Sequence, residues 1–578
     1  MGGAVDGGHV RRAWILLTFA ALCACAPPPS STARSGQPSA AAEQPRPART
    51  LVMAVANEPD ALTSATGLGS NLAGQIRLFN AGVALRDQQG VARPYLAEAL
   101  PQLNTDTWRV FPDGRMETTY RLRPNLTWQD GAPLTSQDFV FGWRIYATPE
   151  LGVSGRPPQS HMEEVIAPDD RTMVIRWKRS FPDADTLMPG PTFDFVPLPR
   201  HLLAQAFEES APEAIGNHPY WTRQYVGLGP YRLERWESGA FLEGVAFDGH
   251  ALGRPKIERI RVAFIRDSNA ALASLLSGEV HTTDVTAISF PQGLVLRREW
   301  TARNGGTVLF VPNLFNHMQF QMRPEVAKPR AVLDARARRA VAHGTDKQAL
   351  NDGLFEGEGL LTDTFVVREM PYYARLSREL TKYPYDARAV EQQMVDLGFA
   401  RGPDGIFASP AERMAVEIWY PDIAEYGQGA PIMVDSLKKT GIDAQVHPYP
   451  SNFIRDGQYR AQFTTLDFTG GGISESTAVL RLSSGQIPTP ETRWTGQNRG
   501  GYLNPEYERM ATAYEGMLDA AQRDDHVVRM MKFLSDDVPS VPLYYVLRPV
   551  AYVSALQGPS VGSPQATELD NVHEWVFR

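Results

Sequence analysis

Residues 120–146, YRLRPNLTWQDGAPLTSQDFVFGWRIY, constrain the fold more than any other stretch of the chain. Tyr120, Leu122 and Leu126 are the apolar members of a strand-like alternation, which Gln129-Asp130-Gly131 ends in a polar turn. A helix is expected next. Thr135 suits an N-cap, Asp138 three residues on can answer the free amides of the first turn, and Phe139, Phe141, Trp143 and Ile145 follow. The unit is a strand, a tight turn and a capped aromatic helix.

A chain of 578 residues exceeds one ordinary core, so roughly two to four domain-sized units are expected. With 43% hydrophobic and 21% charged residues it has the composition of a soluble globular protein. Its net charge of -8 and lack of a basic run argue against nucleic acid as the main partner. The 11 tryptophans suit flat stacking surfaces as well as buried core.

The amino terminus reads as a processing segment. Arg11 and Arg12 precede an apolar run, 13–25, too short for a permanent membrane span but right for the core of a signal peptide. It ends Leu22-Cys23-Ala24-Cys25, which resembles a lipobox with Cys25 as the lipidated residue; an ordinary secretory signal without lipid is the alternative. The chain's two cysteines both lie here, so no disulfide is expected in the mature protein. Residues 26–49, rich in Pro and Ser, bury too little apolar surface to fold and read as a tether.

Folding is expected from Thr50, with Leu51 to Val55 as a buried strand that runs into Asn57-Glu58-Pro59-Asp60. Val165 to Trp177 alternates as a hairpin, with Met173, Ile175 and Trp177 on one side. In VGLGPYRLERW, 226–236, the glycines fit a tight backbone turn and not a phosphate cradle, because Pro230 removes a donor amide. GRPKIERIRVAF, 253–264, is a strand, and Ser268 is read as the cap of a helix stopped by Gly278. Asp334 caps a helix through His343, whose Arg336, Arg338 and Arg339 read as a solvated or salt-bridged face. Further strands are expected at Val416 to Pro421, Asp443 to His447 and Thr464 to Phe468, with a helix from Pro431 to Lys439 between the first two. Helices at Pro505 to Leu518 and Arg523 to Leu534 precede strands at Val541 to Val546 and Val550 to Val553.

Several of these stretches occur in one recognisable order. WQDGAPLTSQDFVFGW, VGLGPYRLERW, the strand and helix leading to Gly278-Glu279-Val280, the Asp334-x-Arg336-x-Arg338-Arg339-Ala340 helix start and Lys382-Tyr383-Pro384-Tyr385-Asp386 resemble the family 5 extracytoplasmic solute-binding proteins. These are the peptide-, oligosaccharide- and nickel-binding subunits of ABC importers. The resemblance implies an α/β fold of the periplasmic-binding-protein kind, two lobes with open mixed sheets joined by a hinge, plus an additional domain. It implies a signal peptide at 1–25 and a tether at 26–49. Domain I would comprise 50–84, 222–315 and 541–578, domain II 85–221, and domain III 316–540. The implied location is extracytoplasmic, with the chain held to the membrane through Cys25 as a monomer and delivering solute to a permease.

No catalytic motif stands out: the sequence has no Gly-x-Ser-x-Gly elbow, His-Glu-x-x-His pair, Cys-x-x-Cys or Walker-type loop. His161-Met162-Glu163-Glu164 is a weak metal candidate, so neither metal nor cofactor is expected. An enzyme, an extracytoplasmic hydrolase, is a distant third reading. Binding sites of this class gather at strand ends between lobes. The candidates are Asn57, Glu58 and Asp60 from the first lobe, and Trp419, Asp467, Phe468, Thr469, Gly470 and Gly471 from the second. The first group also suits a solvated turn, and Trp419 and Phe468 also suit plain core. Peptide-binding members of the family commonly follow an aromatic here with an aspartate that pairs with the ligand's ammonium group; Gly471 stands at that place. Asp467 or Glu475 could substitute. Otherwise an oligosaccharide, or a capped or modified peptide, is as good a ligand as a free peptide.

Overall fold

The computed structural model describes residues 50–63, 65, 74–151, 155, 157–188, 195–563 and 566–578. The expected signal peptide and tether, and Cys25, lie outside the described residues. Among those described, no helix is long and apolar enough to cross a membrane.

The first lobe opens with β1 (Thr50–Val55). A four-stranded sheet follows, from β2 (Trp108–Val110), β3 (Met116–Arg121), β4 (Met162–Asp169) and β5 (Thr172–Trp177), in the order β2-β3-β5-β4. The strand of the opening motif therefore starts and stops earlier than its alternation suggested. The helix after it, α1 (Ser136–Tyr146), is capped as expected: the Thr135 amide donates to Asp138 Oδ2 at 2.9 Å. Trp128 is buried, and Asp130 Oδ1 accepts from the Ala132 amide, so both belong to the turn's architecture.

The chain continues through β6 (Tyr231–Glu237), β7 (Phe241–Ala246) and β8 (Arg259–Phe264). A Cβ at Gly227 would stand 1.9 Å from the Phe79 carbonyl oxygen, so its lack of a side chain serves close backbone packing. Helix α2 (Ser268–Ser277) is capped by Asp267, which accepts from the Ala270 amide, and not by Ser268. Aspartate is as good a cap as serine, and here it holds the residue just before the helix. Gly278 ends α2 in the left-handed region at φ +81°.

After the short β9 (Thr282–Thr283) comes β10 (Gly306–Phe320), a 15-residue strand through which the expected boundary at 315/316 passes. Helix α3 (Ala335–Gly344) is capped by Asp334 and α4 (Lys347–Phe355) by Asp346. Of the two readings of the α3 arginines the salt-bridged one holds for Arg336, which meets Asp334 at 2.8 Å, and for Arg338. Arg338 is buried and donates to Asp537 Oδ1 and to the backbone oxygens of Asp537, Val538, Val332 and Leu333.

Strands β11 (Ala415–Pro421), β12 (Asp443–Tyr449) and β13 (Leu466–Gly472) build the second lobe. Helix α5 (Ala424–Lys439) starts well before Pro431, which lies inside it. Gly429 lets α5 sit close on the sheet, its Cβ position being 3.3 Å from the Phe468 ring. Helices α6 (Glu475–Leu480), α7 (Pro505–Gly516) and α8 (Ala520–Asp537) follow. The two expected terminal strands are one 14-residue strand, β14 (Ser540–Val553). Its long pairing with β10 carries it through Leu547, Arg548 and Pro549, the residues between the two expected strands.

One 11-stranded mixed sheet joins these parts, in the order β12-β11-β13-β10-β14-β9-β1-β8-β7-β6, with Leu360–Leu361 beside β14. In the first lobe β1 runs parallel to β8 and β9; in the second β11 runs parallel to β12 and β13. The antiparallel pair β10 and β14 connects the two halves. Separate hydrophobic cores lie on either side: one gathers Leu51 to Val262 with Leu556 to Trp575, the other Phe290 to Leu547.

Candidate functional site

Strand ends position both candidate patches. Beyond β1, Asn57, Glu58 and Asp60 line a cavity of about 610 Å³, shared with Arg223, Trp236 and Arg266. Glu58 is tied into the fold. Its Oε1 accepts from Trp236 Nε1 at 2.7 Å, and its Oε2 from the Gly239 amide at 2.7 Å and Ser238 Oγ at 3.3 Å. Its carboxylate thus fixes the loop to the β6–β7 hairpin, with Asn57 and Asp60 lining the same cavity beside it.

In the second lobe the parallel strands β11, β12 and β13 end at Pro421, Tyr449 and Gly472. Trp419 stacks on His447 with ring centroids 3.9 Å apart and planes at 4°, and its Nε1 donates to Glu417. Phe468 is fully buried, edge-on to Tyr426 at 4.8 Å, and serves as core beneath α5. Gly470 faces the same side, close to Asn316 and Tyr426.

Asp467, Thr469 and Gly471 point to the other face, into a group of arginines. Asp467 Oδ2 lies 3.6 Å from Arg460 Nη2 and 3.5 Å from Arg499 Nη1. Thr469 Oγ1 accepts from Arg460 Nη2 at 2.8 Å. A Cβ on Gly471 would lie 2.0 Å from Arg481 Nη1, so this guanidinium fills the space a side chain would take. Arg481 is 1% exposed, stacks on Phe315 and Phe365, and bonds His317 Nε2 at 2.8 Å. Burial and then the charge of Arg481 hold the His317 imidazole well below its usual range, so it is neutral at pH 7.

Glu475 is engaged elsewhere. It accepts from the hydroxyls of Tyr372 at 2.6 Å and Tyr514 at 3.0 Å and lies 3.6 Å from Arg523 Nε. It also lines a second cavity, of about 350 Å³, to which Arg86 and Val91, His161 and Asp183, and Met370 and Arg523 contribute. Burial, and next to it the neighbouring Asp183, raises Asp185 to about 6. No cluster of three or more metal-ligating side chains occurs among the described residues, His161 to Glu164 included.

The structure thus brings Asn57, Glu58 and Asp60 to one cavity and Asp467, Thr469 and Gly471 to one arginine-lined face, while Phe468 and Gly470 belong to the opposite face of the same strand. Arg460, Arg481 and Arg499 carry no spacing signal; only the tertiary fold assembles them beside β13.

Two α/β lobes spanned by a pair of long strands, with polar groups at the carboxyl ends of parallel strands, define a solute-binding protein of the periplasmic-binding-protein kind. Residues 98–483 match the model of the bacterial extracellular solute-binding proteins, family 5, and the chain belongs to that family. It is a binding protein and not an enzyme. Among curated relatives, Protein XP55 of Streptomyces lividans is 26% identical, over 76% of this chain and 72% of its own. The chain also matches Brucella relatives, 23% identical, over 51% of their length. The fold is that of an oligopeptide-binding protein from Thermus thermophilus complexed with a pentapeptide, at 20% identity, a TM-score of 0.69, and coverage of 91% of this chain and 96% of that one. It is also that of the ABC transporter substrate-binding protein CtaP from Listeria monocytogenes, at 17% identity, a TM-score of 0.73, and coverage of 92% and 99%.

Proposed function

We propose that this protein captures peptides outside the cytoplasm, between lobes that close about β10 and β14, and delivers them to the permease of an ABC importer. The observation that carries the reading is the placement of polar groups at the carboxyl ends of β1 and of β11–β13, on lobes of a family 5 binding protein. The pentapeptide held by the Thermus protein of the same fold and the transporter role named for the Listeria protein support it. Asn57, Asp60, Trp419, Asp467, Thr469 and Gly471 are the residues assigned to the ligand, with Glu58 positioning its loop and Phe468 and Gly470 backing β13. The three-domain division, with 50–84, 222–315 and 541–578 as domain I, 85–221 as domain II and 316–540 as domain III, goes with this reading. So do a monomeric state and a lipid anchor at Cys25.

An oligosaccharide or other non-peptide solute is the second reading, favoured by one observation. Neither Asp467 nor Glu475 presents a free carboxylate, since arginines hold the first and two tyrosines and an arginine the second. Native mass spectrometry of the purified protein separates the two: a copurifying peptide series is expected, and a glycan or another solute in its place would replace the first reading with the second.

A further inference from the structure

Segments far apart in the sequence bring buried carboxyl groups together in the first lobe. Asp284 follows β9, Glu568 and Asp570 lie in the segment after β14, and Gln75 comes from the segment after β1. Gln75 and Asp284 are each 2% exposed and Glu568 5%. Asp570 is answered: Arg77 Nε lies 2.9 Å from its Oδ1, and Thr567 donates to it through both its amide and its hydroxyl. Neither Asp284 nor Glu568 forms an ion pair among the described residues, and the charges that act on Glu568 are those of Asp284 and Asp570, both negative. Buried carboxylates persist only when their charge is met.

The free oxygens show what can meet it. Asp284 Oδ1 is used locally, accepting from the Thr286 amide at 2.8 Å and its hydroxyl at 2.7 Å. Its Oδ2 accepts a long bond, 3.3 Å, from Gln75 Nε2. The oxygen of that same amide, Gln75 Oε1, is buried without a hydrogen-bond partner, and so is Glu568 Oε1. Glu568 Oε1 lies 2.7 Å from the place a Cβ on Gly74 would take, so it sits against the residue next to Gln75. The donor set is thus two carboxylates and one amide oxygen, joined among the described residues by no third carboxyl, imidazole or thiol. Oxygen donors without nitrogen or sulfur suit a hard cation.

We propose that Gln75 Oε1, Asp284 Oδ2 and Glu568 Oε1 form a site for one hard divalent cation, calcium or magnesium, which ties the segment after β14 to β9 and to the segment after β1. In metal-free buffer protons take up part of the charge, and the cation displaces them on binding. None of the three residues lines the 610 Å³ or the 350 Å³ cavity, so cation binding and solute capture are separable by experiment.

The test is equilibrium dialysis of the full folded chain, stripped with EDTA, against calcium chloride and, separately, magnesium chloride, with bound metal measured by plasma mass spectrometry. One ion per chain is expected, with a Kd of about 0.1–1 mM for the preferred metal. Glu568→Gln and, separately, Asp284→Asn should each weaken it at least about tenfold while circular dichroism stays native. Gln75→Glu should tighten it, because a third carboxylate adds charge at the ion, an effect that a merely structural glutamine would not give. Binding of either metal that is lost in Glu568→Gln and Asp284→Asn retains the inference. It is overturned if neither metal binds up to about 10 mM, or if both variants bind as tightly as the parent; protons alone would then balance the carboxyls, and peptide capture would still stand. Should either variant misfold, Gln75→Glu decides: tighter binding retains the inference, and unchanged or weaker binding overturns it.

Discussion

Replacing Arg338 tests how the second lobe is held together. Its side chain, 3% exposed, reaches from α3 to the end of α8, with Nη2 2.7 Å from both the side-chain and the backbone oxygen of Asp537. Its Nη1 donates to Val332 and Leu333 oxygens at 3.1 and 2.8 Å, and Asp537 also accepts from the Tyr502 hydroxyl at 2.7 Å. Arg338→Met keeps much of the volume but strands these acceptors. Removing one partner of a buried ion pair costs about 3–5 kcal/mol. Asp537 is 26% exposed, so water can reach it, and the lower end, about 3 kcal/mol, is expected. Arg338→Lys should recover only part, since an ammonium cannot span the same oxygens. Arg336→Ala is the control: its pair with Asp334 is 44% and 39% exposed and screened by water, so its loss should leave the midpoint near that of the parent. Urea unfolding followed by tryptophan fluorescence would give the midpoints, compared within the transition of the second lobe because a chain of several cores need not unfold in one step. If Arg338→Met and Arg336→Ala shift that midpoint equally, the bracing argument is wrong.

Other outcomes follow from single contacts. Gly227→Ala should cost at least about 3 kcal/mol or prevent folding, because the new carbon meets the backbone of Phe79 and not a movable side chain; normal thermal stability would refute the close-packing reading. Burial, and then the charge of Asp284, raises Glu568 to about 8. Because the folded state binds this proton more tightly than the unfolded one, the stabilisation is complete below about pH 4.5 and is lost as pH rises towards 8. Glu568→Gln should therefore match the parent near pH 4.5 and exceed it by at least about 1 kcal/mol at pH 8, read from melting curves across that range. Glu58→Ala removes the acceptor of three donors and should cost about 1–3 kcal/mol and loosen the loop before Asp60, seen as faster amide exchange at Gly239.

What the sequence disclosed was mostly local chemistry. The caps Thr135 and Asp334 and the glycine stop at Gly278 each act within a few residues of themselves, so their signals survive without tertiary context. Strand β10 escapes a sequence reading because its partners lie more than a hundred residues away and its buried residues, on both faces, include Asn316, His317 and Gln319, which read as loop. Pro431 reads as a helix start, yet contacts of α5 with the sheet outweigh its local cost. The site was legible as a region and not in its polarity. The strand expected at Thr464 to Phe468 holds Asp467 but stops short of Gly471, whereas β13 runs Leu466–Gly472 and takes in both; the guanidiniums facing them come from 460, 481 and 499, positions with no periodic relation.

The pairing of β10 with β14 restricts how the two halves can move. A ribbon two strands wide, hydrogen-bonded from Gly306 to Gln319, resists sliding and bending within its own plane but yields across its thickness and in twist. Its register shifts at Pro312/Leu314 and Asn316/His317 interrupt the ladder and are where bending and twisting of the ribbon are expected to concentrate. Relative motion of the halves is then expected mainly as bending and twisting of this ribbon. A membrane protein docking on both would meet a small set of presented surfaces, which differ by an angle set in the strands and not by the cargo held between them.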